Sequence, residues 1–166
     1  MALFLGSYSN KVDRKGRVSV PAPFRAALGD QAAHGIVAFR SFKEPAIEAF
    51  SLDDMNRMAA NLEELDQFSE ERDDLATIFA DALQLQIDGE GRIVLPPHLA
   101  AHAGIGESAL FVSNVSHFQI WEPETYAKKS GASRDRLLAR KATVKARPFG
   151  ANGGQPGGGP GSEGSR

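Results

Sequence analysis

Short apolar runs separated by glycine and proline fill most of this chain, and one of the patterns occurs twice. Val12-Asp13-Arg14-Lys15-Gly16-Arg17-Val18-Ser19-Val20-Pro21 aligns with Ile87-Asp88-Gly89-Glu90-Gly91-Arg92-Ile93-Val94-Leu95-Pro96 at a constant offset of 75. Asp, Gly, Arg and Pro are identical, and the apolar positions match in kind, which marks an internal duplication. Each copy continues into a short helical pattern, Pro23 to Gly29 and Pro97 to Gly104, with proline near its start and glycine just past its end. Two more strands follow in each copy. They are Ile36–Phe39 and Ala46–Phe50 in the first, and Ala109–Val112 and His117–Trp121 in the second, with Phe50 and Trp121 at equivalent places.

The stretch between the copies has helical periodicity. Ser51 is placed to cap a helix carrying Met55, Met58, Ala59, Leu62 and Leu65 on one face. A second helix is predicted from Glu70 to about Leu83, with Leu75, Ile78, Phe79 and Ala82 inward. Such stripes belong to a core or a subunit contact rather than to a ligand pocket. The pattern predicts an α+β protein of two tandem β-hairpin units with short helices and an inter-repeat helical segment. The boundaries read as repeat one at 7–53, connector at 54–82, repeat two at 83–126, a basic segment at 127–147, and a Gly/Pro-rich tail at 148–166. The tail holds eight glycines and three prolines, too little apolar surface to offset chain entropy, so disorder is expected there.

The repeated turn has definite chemistry. Asp13 and Asp88 suit the first position, where a carboxylate accepts from backbone two residues on. Gly16 and Gly91 suit a position needing positive φ. Flanking β-branched residues make each turn a hairpin signal. In copy one, Arg14, Lys15 and Arg17 lie within four residues, with Lys11 just before them. Such cations can meet phosphates, and an arginine can pair with a guanine edge, β-ribbons being one route into the major groove. In copy two, Gly89 and Glu90 replace two of the cations, so copy one is expected to dominate nucleic-acid contact, with Arg92 secondary. Taken alone, the Asp13–Arg17 and Asp88–Arg92 spacings also fit simple turn-stabilising ion pairs.

Charge sharpens this picture. The net charge of −2 hides segregation: residues 1–43 carry seven Lys/Arg against two Asp/Glu, whereas 44–90 carry two against fourteen. Residues 128–147 are basic again, with eight against one. Two basic regions on an acidic chain fit a polyanion met through one face, as well as an ordinary mixed surface. There are no cysteines, hence no disulfide framework and no thiolate metal site. No apolar run approaches a membrane span, and Met1–Gly6 is apolar without a basic lead and too short for a signal peptide. A soluble, cytoplasmic protein is expected.

The residues Phe4-Leu5-Gly6-Ser7-Tyr8 and Asp13 to Arg25, with Asp88 to Pro96 and Phe118-Gln119-Ile120-Trp121, resemble the MraZ family of bacterial transcriptional regulators over roughly residues 3–128. The resemblance implies two SpoVT-AbrB-type units folded into a β-barrel-like core and assembled as a ring-shaped homo-oligomer. It implies double-stranded DNA as partner, a nucleoid-associated location, and binding of guanine-rich repeats upstream of the division and cell-wall gene cluster, commonly to repress it. It places DNA contacts on Lys15 and Arg17 with Arg14 beside them, and maps the second motif onto Asp88 and Arg92. The family's inter-repeat helix carries several arginines before the second motif; here that place reads Thr77 to Ala82.

Rival readings are a ring-forming scaffold that docks partners on its acidic helices, and an antitoxin-like AbrB regulator. An enzyme is not expected. His98 and His102 stand four apart, as zinc ligands can, but Leu99 occupies the place of the required Glu and no third ligand is apparent. Neither a cofactor, a metal nor a small-molecule substrate is expected.

Overall fold

The computed structural model describes residues 2–140. Its elements run β1 (Ser7–Lys11), β2 (Arg17–Ser19), α1 (Ala22–Leu28), a 3-10 turn (Gly29–His34), β3 (Ile36–Arg40), β4 (Ile47–Phe50), α2 (Leu52–Glu63), α3 (Glu70–Asp81), β5 (Leu83–Leu85), β6 (Arg92–Val94), α4 (Pro97–Ala103), β7 (Ser108–Asn114), β8 (His117–Trp121) and α5 (Pro123–Arg140). This is the mixed α+β architecture that the pattern predicts. The disorder expected for residues 148–166 lies outside the described residues.

Six strands form one antiparallel sheet in the order β1-β7-β8-β4-β3-β5, while β2 pairs with β6 in a separate ribbon. Exchanging each strand for its repeat equivalent leaves that order unchanged. The two copies are therefore related by a pseudo-twofold axis that passes between β4 and β8 and through the β2/β6 ribbon.

The strand partners differ from the simple hairpins the turns suggest. The turns form, but the strands beside them pair across the copies: β1 with β7, β5 with β3, and β2 with β6. A unit of about 45 residues closed on itself buries too little surface to be stable. Interlocking gives three-residue strands such as β2 and β6 a partner and seals Val18 and Ile93, each 1% exposed, beneath the ribbon.

The main core lies between the ribbon and one face of the sheet. Val18, Val20, Ile93 and Leu95 from the ribbon side meet Ile36, Ala38, Ile47, Ala49, Ala109, Phe111, Phe118 and Ile120 from the sheet. Phe24 and Leu28 of α1 and Leu99 and Ala103 of α4 complete it. Phe24 packs edge-on against Phe4 and Tyr8.

The opposite face of the sheet is covered by helices. Val37, Phe39 and Met55 cluster with Met58, Ile78, Phe79 and Ala82 of α2, α3 and the residue after α3. Ser51 caps α2 by accepting from Asp54 N at 3.1 Å. Leu75, expected to face inward, is instead among the exposed apolar residues, because α3 reaches the sheet mainly through its last turn.

α5 was not evident from the pattern, which leaves 127–147 only a basic segment. Its first turn is capped by Glu122, whose carboxylate accepts from Glu124 N at 3.1 Å and Thr125 N at 2.7 Å. Trp121 sits at 1% exposure beneath Tyr126 of α5, whereas its counterpart Phe50 is half-buried and stacked on His117.

Candidate nucleic-acid interface

Turn one follows from its residue types. Gly16 N donates to Asp13 O at 3.0 Å and Asp13 N to Arg17 O at 2.9 Å, closing the loop. Asp13 Oδ1 accepts from Lys15 N and Arg17 N, both at 2.9 Å. Asp13 Oδ2 accepts from Arg17 Nε at 2.6 Å. Gly16 has φ +81°, and its carbonyl accepts from Leu95 N at 2.8 Å, tying the turn to β6.

The hydrogen bond from the Arg17 amide, with those from the Arg17 side chain and the Lys15 amide, outweighs the opposing desolvation and holds the Asp13 carboxyl below its ordinary value. The anion that organises the turn is thus charged at neutral pH. Binding through Nε leaves the two terminal nitrogens of Arg17 without a hydrogen bond among the described residues.

Turn two repeats this scaffold. Gly91 N donates to Asp88 O at 3.0 Å, Asp88 N to Arg92 O at 2.9 Å, and Asp88 Oδ1 accepts from Glu90 N at 2.8 Å and Arg92 N at 2.9 Å. Asp88 Oδ2 accepts from Arg92 Nε at 3.2 Å, and the same backbone bonds depress its carboxyl pKa, the Arg92 amide first. Arg92 differs in one respect: its Nη2 also meets Glu90 Oε2 at 3.1 Å.

The ribbon joins the two turns. Arg17 lies opposite Val94, and Ser19 opposite Arg92. Side chains alternate along a strand and directly paired residues share a face. With Val18 and Ile93 turned into the core, the outer face carries Arg17, Ser19, Arg92 and Val94. Arg14, Lys15 and Lys11 are exposed at the turn-one end. Among the described residues none of these three has a carboxylate within ion-pair distance.

The family model described as "MraZ protein, putative antitoxin-like" matches residues 3–76 and 78–145, one match per repeat. The chain belongs to the MraZ family. Two curated relatives illustrate the similarity. "Transcriptional regulator MraZ" of Rickettsia rickettsii (strain Sheila Smith) is 42% identical over 146 residues, covering 87% of this chain and 98% of the relative. The protein of the same name from Rickettsia akari (strain Hartford) is 45% identical with the same coverage.

Within this MraZ frame, most of the residues expected to matter gather on the β2/β6 ribbon and its two turns. Arg17 and Arg92 share the ribbon face, Arg14 and Lys15 lie on turn one, and Asp13, Gly16, Asp88 and Gly91 build the turns; Lys11 ends β1, where alternation with Tyr8 and Asn10 sets it on the sheet's other face. The turn-stabilising ion pairs are present as well, so the carboxylates brace the arginines rather than compete with a second role.

Three further residues join the face without having been singled out. Ser19 and Val94 come to it only through cross-copy pairing. Arg25 of α1 donates from Nε to Val20 O at 3.1 Å, and its guanidinium lies where a side chain on Gly91 would have to stand. A cation of copy one thus packs against turn two, at a position where copy two has Ala100.

Elsewhere the chemistry is different. His98 is exposed and His102 Nε2 lies 3.2 Å from Glu44 O; among the described residues no group of three His, Cys, Asp or Glu could hold a metal. A cavity of about 620 Å³ lies on the helix-covered face of the sheet, away from the ribbon. Its floor holds Glu48, which pairs with His117 Nε2 and accepts from Gln119 Nε2, both at 2.7 Å. Burial pushes the Glu48 carboxyl up, but bonds from His117, Gln119 and Ser41 bring it below its usual value. These partners satisfy one another across the pseudo-twofold axis. No helix among the described residues is long and apolar enough to cross a membrane.

Proposed function

We propose that the chain is a transcriptional regulator that binds double-stranded DNA through the outer face of the β2/β6 ribbon and the tip of turn one. The observation that carries this reading is Arg17, held at Nε by Asp13 on a rigid turn, its terminal nitrogens open, beside unpaired Arg14 and Lys15. An arginine fixed in this way suits bidentate pairing with guanine O6 and N7. Arg14 and Lys15 serve as phosphate contacts. Arg92 is the secondary reader, about 7 Å from Arg17 on the ribbon diagonal, close to two base-pair steps. The names of the Rickettsia relatives support regulation as the role.

The finer reading rests on family resemblance: guanine-rich repeats upstream of the division and cell-wall gene cluster, repression of that cluster, and work at the nucleoid in the cytoplasm. Assembly into a ring is part of the same proposal. It is supported by the open edges of β1 and β5, beside which Leu3, Leu5 and Leu83 are exposed. Several ribbons would then act on spaced repeats by avidity.

The test is a mobility-shift titration of the purified chain with guanine-rich repeats against scrambled duplex, at two salt concentrations. Preference for the repeats with a steep salt dependence is the expected result. Equal weak binding to both, or none, rejects the reading.

A further inference from the structure

The ribbon face contains one residue that its charge chemistry does not explain. Val94 is 53% exposed on a face otherwise made of Arg17, Arg92 and Ser19. It stands directly across from Arg17, so the two side chains leave the ribbon side by side. The next inward position, Ile93, is buried, so Val94 has no place in the core. Its branched side chain holds a nearly fixed orientation on a strand.

The pseudo-twofold axis makes Val94 the counterpart of Ser19. The two arginines are thus equivalent under the axis, and their neighbours are not: one half of the ribbon offers a hydroxyl, the other two methyl groups. A major-groove edge has a single apolar feature to match such methyls, the C5 methyl of thymine.

We infer that Val94 is a specificity-determining residue that packs on the C5 methyl of a thymine adjacent to the base pair contacted by Arg17, in the half-site at the turn-one end of the ribbon. The inference rests on the DNA-binding reading. Ser19 offers no equivalent contact to the other half-site, so the ribbon has one preferred direction on an asymmetric site. Substituting uracil for that thymine removes only the methyl, and the loss is that of one buried methyl group, roughly fourfold in affinity.

The experiment uses a pool of guanine-rich repeat duplexes randomised at the flanking positions, selected in parallel with the full chain and with its Val94→Ser and Val94→Thr variants. Melting of all three proteins is measured alongside. The parent chain selects thymine at one position, Val94→Thr keeps part of that preference through its γ-methyl, and Val94→Ser loses it while still binding the repeats. Deoxyuridine at that position weakens the parent chain about fourfold and leaves Val94→Ser unchanged. If the parent chain shows no thymine preference, or Val94→Ser keeps it in full, Val94 is not the reader, although guanine-rich duplex is still bound. If no duplex is bound by any of the three, the DNA-binding reading itself fails.

Discussion

Asp13 and Asp88 fold their turns with the same five hydrogen bonds, yet the arginines they hold are left in different states. Arg17 keeps its terminal nitrogens open and has Arg14 and Lys15 for neighbours. Arg92 shares Nη2 with Glu90, and the residue before Glu90 is a glycine. A duplicated scaffold has thus been kept intact while its surface chemistry diverged. Turn geometry depends on Asp, Gly and the backbone, and these are the positions that stayed identical. The two residues between them make no turn bonds through their side chains and were free to change. The Glu90 side chain is 74% exposed, so its hold on Arg92 is an exposed pair of small strength.

The contrast between copies can be tested from its strongest point to its weakest. The largest effect is expected at Gly35, which has φ +72° and on which a side chain would collide with the Leu85 carbonyl where β3 meets β5. Gly35→Ala should cost about 3 kcal/mol or more in chemical denaturation. The equivalent place in copy two is Ser108, and Ser108→Ala should change stability by no more than about 0.5 kcal/mol. Similar losses at both would show that the close approach is not peculiar to copy one.

Next come the arginines. Arg17→Ala should weaken binding to guanine-rich repeats by about 1–3 kcal/mol while leaving scrambled duplex little affected. Arg92→Ala should cost less, because Glu90 already occupies part of that fork. Equal losses in a titration would remove the distinction between primary and secondary reader.

A smaller effect is expected at the turn tips, where Lys15 and Glu90 are counterparts. Lys15→Ala should lower the slope of log affinity against log salt by about 1, and Glu90→Lys should raise it by about 1. An unchanged slope in Glu90→Lys would mean that turn two stands clear of the phosphates.

The smallest effect concerns pH. Both turn carboxyls have folded pKa values below the ordinary 3.8. A depressed carboxylate contributes stability that is present above its unfolded pKa and is lost as pH falls through the lower folded value. The amide signals of Lys15, Arg17, Glu90 and Arg92 should therefore hold steady from about pH 7 to about pH 5 and shift only below the ordinary carboxylate range. A shift near neutrality in either turn would show that its aspartate is not the organising anion.

Much of this molecule can be read along the chain because its signals are local. The offset of 75, the Asp and Gly of each turn, Ser51 as a cap and the proline-led helices α1 and α4 depend on residues within a few positions of one another. The cationic cluster at Lys11, Arg14, Lys15 and Arg17 is legible for the same reason. α5 is not legible along the chain because Ser130-Gly131-Ala132-Ser133 reads as loop and Glu122 is an uncommon cap. Leu75 has helical spacing but borders an open apolar groove with Leu62 and Leu65 and stays exposed, which spacing cannot report.

Tertiary structure alone decided which strand pairs with which. A turn signal implies that its flanking strands pair with each other, but neither repeat can bury Val18 or Ile93 by closing on itself. The favourable burial comes from exchanging strands across the pseudo-twofold axis. That exchange sets Arg17 beside Val94, Ser19 beside Arg92, and Arg25 against Gly91, contacts between residues 66 to 77 positions apart. Local chemistry determined the turns and their charges, and long-range burial determined the face on which those charges stand.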